Sequence, residues 1–280
     1  MSLIAVSGAT GRLGGRIAWR LAAAGIPQRL VVRDPGRAPR LPGATVARAE
    51  YGDPVALRRA LEGAGTVVMV SAPETPDRVD RHRNFVDAAV AAGVRHLVYT
   101  SFMGAAPDAV FTLARDHWAT EEHIRASGLE FTFLRNSLYA DFLPFMVSAD
   151  GVIRGPARDG RAAVVAQDDI ADVAVAVLRD PTAHARCTYD LTGPEALTFA
   201  EIAATITAVT GRTVTYYDEA LDEAYASRAA YGAPDWQLEA WVSTYTSVAA
   251  GELSTVSPAV EQLSGHPATS LAQLLAAGVG

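Results

Sequence analysis

The feature that most constrains this chain is a glycine-spaced turn near its start. Gly8, Gly11 and Gly14 follow the apolar run Ile4–Ser7, and residues 12–24 have helical periodicity. In such a strand–turn–helix, one glycine allows the reversal, one lets backbone N–H groups approach a pyrophosphate, and one lets the helix press on the strand. The positive end of the helix then faces the phosphates. The turn predicts a dinucleotide site, and the alternative is a glycine turn without a ligand.

Strand-like and helical patterns alternate along the first half of the chain. Right-handed crossovers place helices on both faces of a parallel sheet, so this alternation predicts an α/β fold with a Rossmann-type doubly wound parallel sheet. The rhythm becomes less regular after Asn136, where residues 164–166 read as one of several further strands. We expect residues 1–150 to form an NAD(P)-binding Rossmann domain. Residues 151–280 are expected to form a smaller C-terminal α/β lobe that binds substrate and is partly interleaved with the first domain.

Composition excludes several kinds of chemistry. The chain has no lysine, so all 24 basic residues are arginine, and Schiff-base or titrating-ammonium mechanisms are excluded. A formal charge of −7 argues against nucleic acid as a main partner. The single cysteine, Cys187, fits a reducing, cytoplasmic setting. We expect no signal peptide, membrane span or metal site, because the sequence shows no long apolar run and no metal-ligand spacing of histidines.

In an open parallel sheet, ligands bind beyond the carboxyl ends of the strands. The candidate cofactor contacts are therefore the residues that follow the predicted strands. They are Gly8, Thr10, Gly11, Arg12, Leu13 and Gly14 in the turn, Arg33 after the second strand, and Ser71, Ala72, Pro73, Thr100 and Ser101 after two later strands.

The residues after the second strand bear on the choice between the nicotinamide cofactors. A carboxylate there favours a free ribose 2′-hydroxyl, and an arginine favours a 2′-phosphate. Arg33 and Asp34 offer both in adjacent places. Because Arg33 follows the strand directly, we expect NADPH, with NADH as the alternative. In the other interpretation, Arg33 is a solvated charge and Asp34 caps the turn that begins at Pro35.

Several segments of the chain follow a known family pattern. These include Val6–Gly14, Val31–Pro35 and Leu97–Ser101, which resemble the atypical short-chain dehydrogenases of the NmrA-like group. Two more, Phe131–Phe142 and Tyr189–Phe199, are similar to those of type-2 NAD(P)H:quinone oxidoreductases and triphenylmethane reductases. The resemblance implies a Rossmann domain with a C-terminal lobe, NADPH as reductant, and a cleft between them for a flat aromatic or quinone-like acceptor.

The same resemblance and the absence of lysine suggest how the reaction proceeds. Where ordinary short-chain dehydrogenases carry Tyr-x-x-x-Lys, this chain has His117 and Glu121, whereas Glu50 replaces an aspartate that is usual in the family. A quinone needs positioning and a few hydrogen-bond donors rather than an activated tyrosine.

Five catalytic residues are predicted on this basis. Ser101, Asn136 and Tyr139 would donate hydrogen bonds to the acceptor oxygen. His117 would supply a proton near neutral pH, and Glu121, one turn further on the helix, would orient it. The alternatives are structural roles: a packed or solvated His117, a solvated Glu121 and a turn-forming Asn136.

These observations favour an NADPH-dependent oxidoreductase that transfers a hydride to a quinone or a related conjugated aromatic acceptor. We expect it to act as a monomer or homodimer on a small molecule. One alternative is an NAD(P)-binding regulator or redox sensor of the NmrA-like kind that never turns the cofactor over. Another is a tailoring reductase in aromatic natural-product biosynthesis.

Overall fold

The computed structural model describes residues 3–278. Contacts divide the chain into two compact units, and each unit is assembled from three segments. Unit 1 consists of Met1–Ser101, Asp116–Arg135 and Gln167–Tyr189, and unit 2 consists of Phe102–Arg115, Asn136–Ala166 and Asp190–Gly280. Each unit therefore draws on both halves of the chain.

Up to β6, strands and helices follow one another in the order that the sequence predicts, and after β6 the order is less regular. The strands are β1 (Leu3–Ser7), β2 (Gln28–Val32), β3 (Ala44–Arg48), β4 (Ala64–Met69), β5 (His96–Phe102), β6 (Glu130–Asn136), β7 (Val152–Gly155), β8 (Arg161–Ala162), β9 (Cys187–Leu191), β10 (Leu197–Thr198) and β11 (Thr215–Asp218). The α-helices are α1 (Arg12–Ala23), α2 (Pro54–Leu61), α3 (Arg78–Ala91), α4 (Thr112–Ala126), α5 (Gln167–Arg179), α6 (Phe199–Thr210), α7 (Leu221–Ala229), α8 (Asp235–Ala249), α9 (Ala259–Ser264) and α10 (Leu271–Ala277).

Unit 1 is built on a seven-stranded sheet in the order β3-β2-β1-β4-β5-β6-β9. The pairs from β3 to β5 are all parallel. Every residue of β4 is buried, as expected for a strand that is covered on both faces. The predicted Rossmann-type doubly wound fold is confirmed. The order reverses direction between β1 and β4, which is where ligands bind in such sheets.

Local sequence signals set several helix boundaries. The side chain of Asp53 accepts a hydrogen bond from the Ala56 N–H at 2.9 Å, and Pro54 is the first residue of α2. In unit 2, Thr198 and Glu201 form a capping box at the start of α6. Both caps depend on residues that are neighbours in the sequence.

Unit 2 combines two small sheets with helices α6 to α10. Strands β7 and β11 pair in parallel, and β8 and β10 pair antiparallel. The strand predicted at 164–166 is wrong: the regular pairing in this region belongs to β8, and Val165 forms only an isolated bridge with Tyr139. The apolar pattern of this segment reflects burial in the core of unit 2, which a strand and a buried loop share.

No helix within residues 3–278 has the length and apolarity that a membrane span requires. Over the same residues, no cluster of at least three His, Cys, Asp or Glu side chains is arranged to hold a metal ion.

Candidate functional site

The glycine turn between β1 and α1 has a geometry that other residues would disturb. Gly8 has φ +66°, in the left-handed region. A Cβ atom at Gly14 would lie 2.3 Å from the carbonyl oxygen of Gly8, so the helix rests directly on the turn. The N–H of Gly11 donates to the same carbonyl at 2.8 Å, which closes the turn. At these three glycine positions no side chain covers the backbone of the turn.

Helix α1 begins without a side-chain cap. Its N-cap residue is Gly11, in an extended conformation, and the first turn carries no acidic residue. Thr10 and Arg12 are exposed, whereas Leu13 is buried in the core, so only the backbone of Leu13 can serve a ligand. A helix start of this kind suits an anion, because its first N–H groups have no partners within the helix.

The two residues that bear on cofactor choice, Arg33 and Asp34, follow β2 and have different environments. The Asp34 carboxylate accepts a hydrogen bond from the Gly36 N–H at 2.9 Å and caps the short 3-10 turn Pro35–Arg37. The side chain of Arg33 is exposed. The Asp34 carboxylate is thus occupied in a local turn, whereas Arg33 is exposed at the surface.

Tyr51 joins the ends of β1 and β4. The hydroxyl of Tyr51 donates to the Val70 carbonyl at 2.6 Å and lies 2.6 Å from Ser7 Oγ. Ser7 Oγ in turn accepts from the Val70 N–H at 2.9 Å. Burial raises the pKa of Tyr51, so the hydroxyl keeps its proton. The interaction fixes the spacing of the two strands beside the glycine turn.

Ser101 and Glu121 meet in the interior of unit 1. Ser101 Oγ donates to Glu121 Oε1 at 2.6 Å. Arg135 grips the same carboxylate with two hydrogen bonds of 2.8 and 2.6 Å, and Arg125 adds a third, at 3.1 Å. Glu121 is fully buried. The structure therefore differs from the expectation twice: Glu121 is bound by Ser101 and two arginines rather than set against His117, and the Ser101 proton is directed at Glu121.

His117 is also buried, and its environment opposes the charged form. Its Nδ1 lies 2.9 Å from the Tyr99 hydroxyl, and its Nε2 lies 3.0 Å from an Nη of Arg78. Desolvation, followed by the positive charge of Arg78, lowers the pKa of His117 well below its ordinary value. This contradicts the expectation that His117 titrates near neutral pH, because burial and the charge of Arg78 both disfavour the protonated ring. The imidazole is neutral at pH 7.

Asn136 and Tyr139 belong to unit 2 and lie together. Asn136 Nδ2 donates to the Tyr139 hydroxyl at 3.3 Å. Asn136 is buried, and its Oδ1 has no hydrogen-bond partner among the described residues. A buried amide oxygen without a partner is costly, so such an atom marks a place where a ligand donor would be stabilising. The ring of Tyr139 packs against that of Phe142, with centroids 5.7 Å apart.

Unit 2 contains an aromatic cavity of about 580 Å³. The lining includes Tyr231 and Trp241, whose rings meet edge to face at 6.0 Å, and Tyr245. Two arginines of the lining are neutralised by acidic partners: Arg154 binds Asp150 at 2.6 Å, and Arg228 binds Glu219 at 2.7 Å. The cavity therefore presents aromatic surface without an unbalanced charge, and we call it the unit 2 cavity.

The residues of unit 1 fit a dinucleotide on structural grounds. The cradle formed by Gly8, Gly11 and Gly14 has no room for a Cβ atom at Gly14, and the helix behind it begins without a cap. A phosphate could accept hydrogen bonds from the backbone N–H groups that the uncapped helix start leaves without side-chain partners.

The chain belongs to the NmrA-like family, whose model matches residues 1–238. Among individual relatives, it is similar to quinone oxidoreductase 2 of Escherichia coli, with 34% identity over 97% of this chain and 96% of that protein. It is 37% identical to a (4-alkanoyl-5-oxo-2,5-dihydrofuran-3-yl)methyl phosphate reductase of Streptomyces griseus, over 95% and 94% of the two chains.

Solved structures of two similar proteins match this chain over nearly its full length. The NADPH complex of the Escherichia coli quinone oxidoreductase matches with a TM-score of 0.89 and 33% identity, over 98% of this chain and 99% of that one. The NADP(H) complex of a Citrobacter triphenylmethane reductase matches with a TM-score of 0.85 and 31% identity, over 96% and 98%. The resemblance inferred from the sequence segments is confirmed.

Proposed function

We propose that this chain is an NADPH-dependent oxidoreductase that transfers a hydride to a quinone or to a related flat, conjugated acceptor. The observation that carries the proposal is the intact glycine cradle, in a chain that resembles over nearly its full length a quinone oxidoreductase solved with NADPH. Arg33 supports NADPH over NADH, because an exposed arginine can pair with a 2′-phosphate while Asp34 is held by its own turn.

The residues of unit 1 bind and orient the cofactor in this proposal. Backbone N–H groups from Gly8 to Gly14 hold the pyrophosphate, and the segment Ser71–Pro73, with Thr100 and Ser101, lies along the nicotinamide half. When bound, the cofactor supplies the hydride. His117, being neutral and buried, is not a proton source here.

The residues of unit 2 bind the acceptor. The aromatic walls and paired charges of the unit 2 cavity favour an uncharged, planar body. Asn136 orients the hydroxyl of Tyr139, which donates to the acceptor oxygen. An acceptor that is already conjugated suits a chain without lysine, since no ammonium is present to activate a tyrosine.

The test is turnover by the purified protein. NADPH is mixed with a panel of small quinones, and the absorbance of the reduced cofactor is followed. The panel also includes a 4-acyl dihydrofuranone phosphate, because the Streptomyces relative is named for such a substrate. We expect saturable oxidation of NADPH with at least one acceptor. Tight NADPH binding without oxidation by any acceptor would contradict the proposal and favour a cofactor-sensing regulator.

A further inference from the structure

The backbone after β4 is held by side chains rather than by other backbone groups. The Ser71 N–H donates to Thr100 Oγ1 at 2.9 Å. The Ala72 N–H donates to Nε2 of His82 at 2.8 Å, and the Ala72 carbonyl accepts from Nε of Arg78 at 2.9 Å. Both polar groups of a single peptide residue are thus held by two residues of α3. The path of this segment depends on where those two side chains stand.

The hydrogen bonds of His82 define its tautomer. Nε2 accepts the Ala72 N–H, so the ring proton lies on Nδ1 and is donated to Thr120 Oγ1 at 2.8 Å. The Thr120 hydroxyl in turn donates a hydrogen bond to the backbone carbonyl of Asp116 at 2.7 Å. His82 is fully buried, and burial together with the charge of Arg78 lowers its pKa well below the ordinary value. The ring is therefore a neutral, oriented acceptor.

Arg78 is also oriented by hydrogen-bond partners, which lie at its two Nη atoms. It is only 5% exposed, and an Nη donates to Nε2 of His117 at 3.0 Å. The proton of His117 then lies on Nδ1 and points to the Tyr99 hydroxyl, 2.9 Å away. A second Nη lies 3.4 Å from the carboxylate of Asp116. The guanidinium is fixed at three points, and only Nε faces Ala72.

We propose that Arg78 and His82, backed by His117 and Tyr99, are positioning residues that fix the Ser71–Pro73 backbone where it meets the nicotinamide ring. The inference rests on the proposed function, in which this segment lies beside the cofactor. It gives His117 a role as the acceptor that steers Arg78. The four side chains come from α3, α4 and β5, so the segment is held against three elements of unit 1 at once.

The test compares a disruptive and a conservative change at His82. His82→Leu removes the acceptor for the Ala72 N–H, whereas His82→Gln keeps an acceptor and a donor. Arg78→Lys is a second disruptive variant, because its single nitrogen cannot occupy both the Nε position that faces Ala72 and the Nη position that faces His117. It serves if His82→Leu does not fold. The control is His123→Gln. His123 is a partly exposed histidine of α4, and its Nε2 lies 2.7 Å from the carboxylate of Asp87 in α3.

Three quantities are measured on folded protein: the NADPH dissociation constant, the fluorescence emission of bound NADPH, and the single-turnover rate of its oxidation by the best quinone. In His82→Leu and Arg78→Lys we expect the rate to fall roughly 10- to 100-fold. The emission of the bound nicotinamide shifts, and the dissociation constant stays within about threefold, because the pyrophosphate cradle is untouched. His82→Gln and His123→Gln should match the unaltered protein in all three quantities.

Two results would overturn the inference. One is an unchanged emission spectrum and rate with only a lower melting temperature, which indicates a purely structural role. The other is a loss of rate in His82→Gln as large as the loss in His82→Leu. If none of the acceptors oxidises NADPH in the presence of the unaltered protein, the proposed function fails. The emission of bound NADPH still decides whether Arg78 and His82 position the segment.

Discussion

The glycine turn of unit 1 takes its shape from seven consecutive residues, whereas the unit 2 cavity is lined by separated segments between Phe145 and Tyr245. In the turn, the working surface is backbone, and the space left by missing side chains defines it. In the cavity, the working surface is side chains, and their rings define it. The turn suits a charged group and the cavity an uncharged aromatic one.

This difference indicates which changes each region tolerates. The turn cannot accept any larger residue where helix and strand touch, as the 2.3 Å approach at Gly14 shows. The cavity can exchange one ring for another of similar size, because aromatic packing is not tied to a single geometry. Changes in the turn should therefore affect the cofactor, and changes in the cavity should affect the acceptor, with little overlap.

The largest expected effect comes from a charge in the turn. Gly11→Asp places a carboxylate at the N-cap of α1, where the phosphates are expected, and should weaken NADPH binding on the order of 100-fold or more. Gly11→Asn has the same size without the charge and should lose much less. Fluorescence titration of both variants measures the difference. Unchanged NADPH affinity in Gly11→Asp would contradict the phosphate cradle.

The choice of cofactor should depend on the end of β2. Arg33→Ala removes the expected partner of the 2′-phosphate and should weaken NADPH roughly 10- to 100-fold, the worth of a charge-assisted hydrogen bond. NADH affinity should change little. Arg59→Ala, an exposed arginine of α2, is the control for the loss of a positive charge. Equal losses for both cofactors in Arg33→Ala would mean that the residue does not read the phosphate.

Changes in the unit 2 cavity should affect acceptor binding and leave NADPH binding unchanged. Trp241→Ala removes one aromatic wall and should raise the KM for the quinone about tenfold while NADPH affinity is retained. Trp241→Phe should recover most of the loss. Trp19→Ala, a tryptophan that is 62% exposed on α1, controls for removal of an indole. A normal KM in Trp241→Ala would separate the unit 2 cavity from acceptor binding.

The smallest effect at neutral pH concerns the buried histidines of unit 1. The folded-state pKa values of His82 and His117 are depressed well below 6.5. Below that pH the unfolded chain takes up protons that the folded chain does not, so the free energy of unfolding should fall by up to about 1.4 kcal/mol per pH unit for each histidine.

Above that pH, the contribution of both residues is fully present. Urea unfolding measured at successive pH values gives the change in the free energy of unfolding per pH unit. His82→Gln should reduce this slope by the contribution of one histidine. A stability that does not change between pH 7 and pH 5 would show that these rings are not held neutral.

The sequence predicted what local geometry determines. The glycine spacing gave the strand, turn and helix around Gly11, and the alternation of strands and helices gave the sheet, because both depend on residues that are close in the chain. The environments of His117 and Glu121 were missed, since they depend on Arg78 and Arg135, which are distant in sequence. One signal was available: charged residues sit among the apolar patterns of α3 and β6, which indicates buried polar partners.

The most direct measurement of the central claim is single-turnover oxidation of NADPH carrying deuterium at one or the other face of nicotinamide C4. With a quinone that the protein accepts, the account predicts that one of the two labelled cofactors reacts more slowly and that the other reacts at the normal rate, because the ring is held in one orientation. An equal rate for both labelled forms and the unlabelled cofactor, or no oxidation at all, would contradict it.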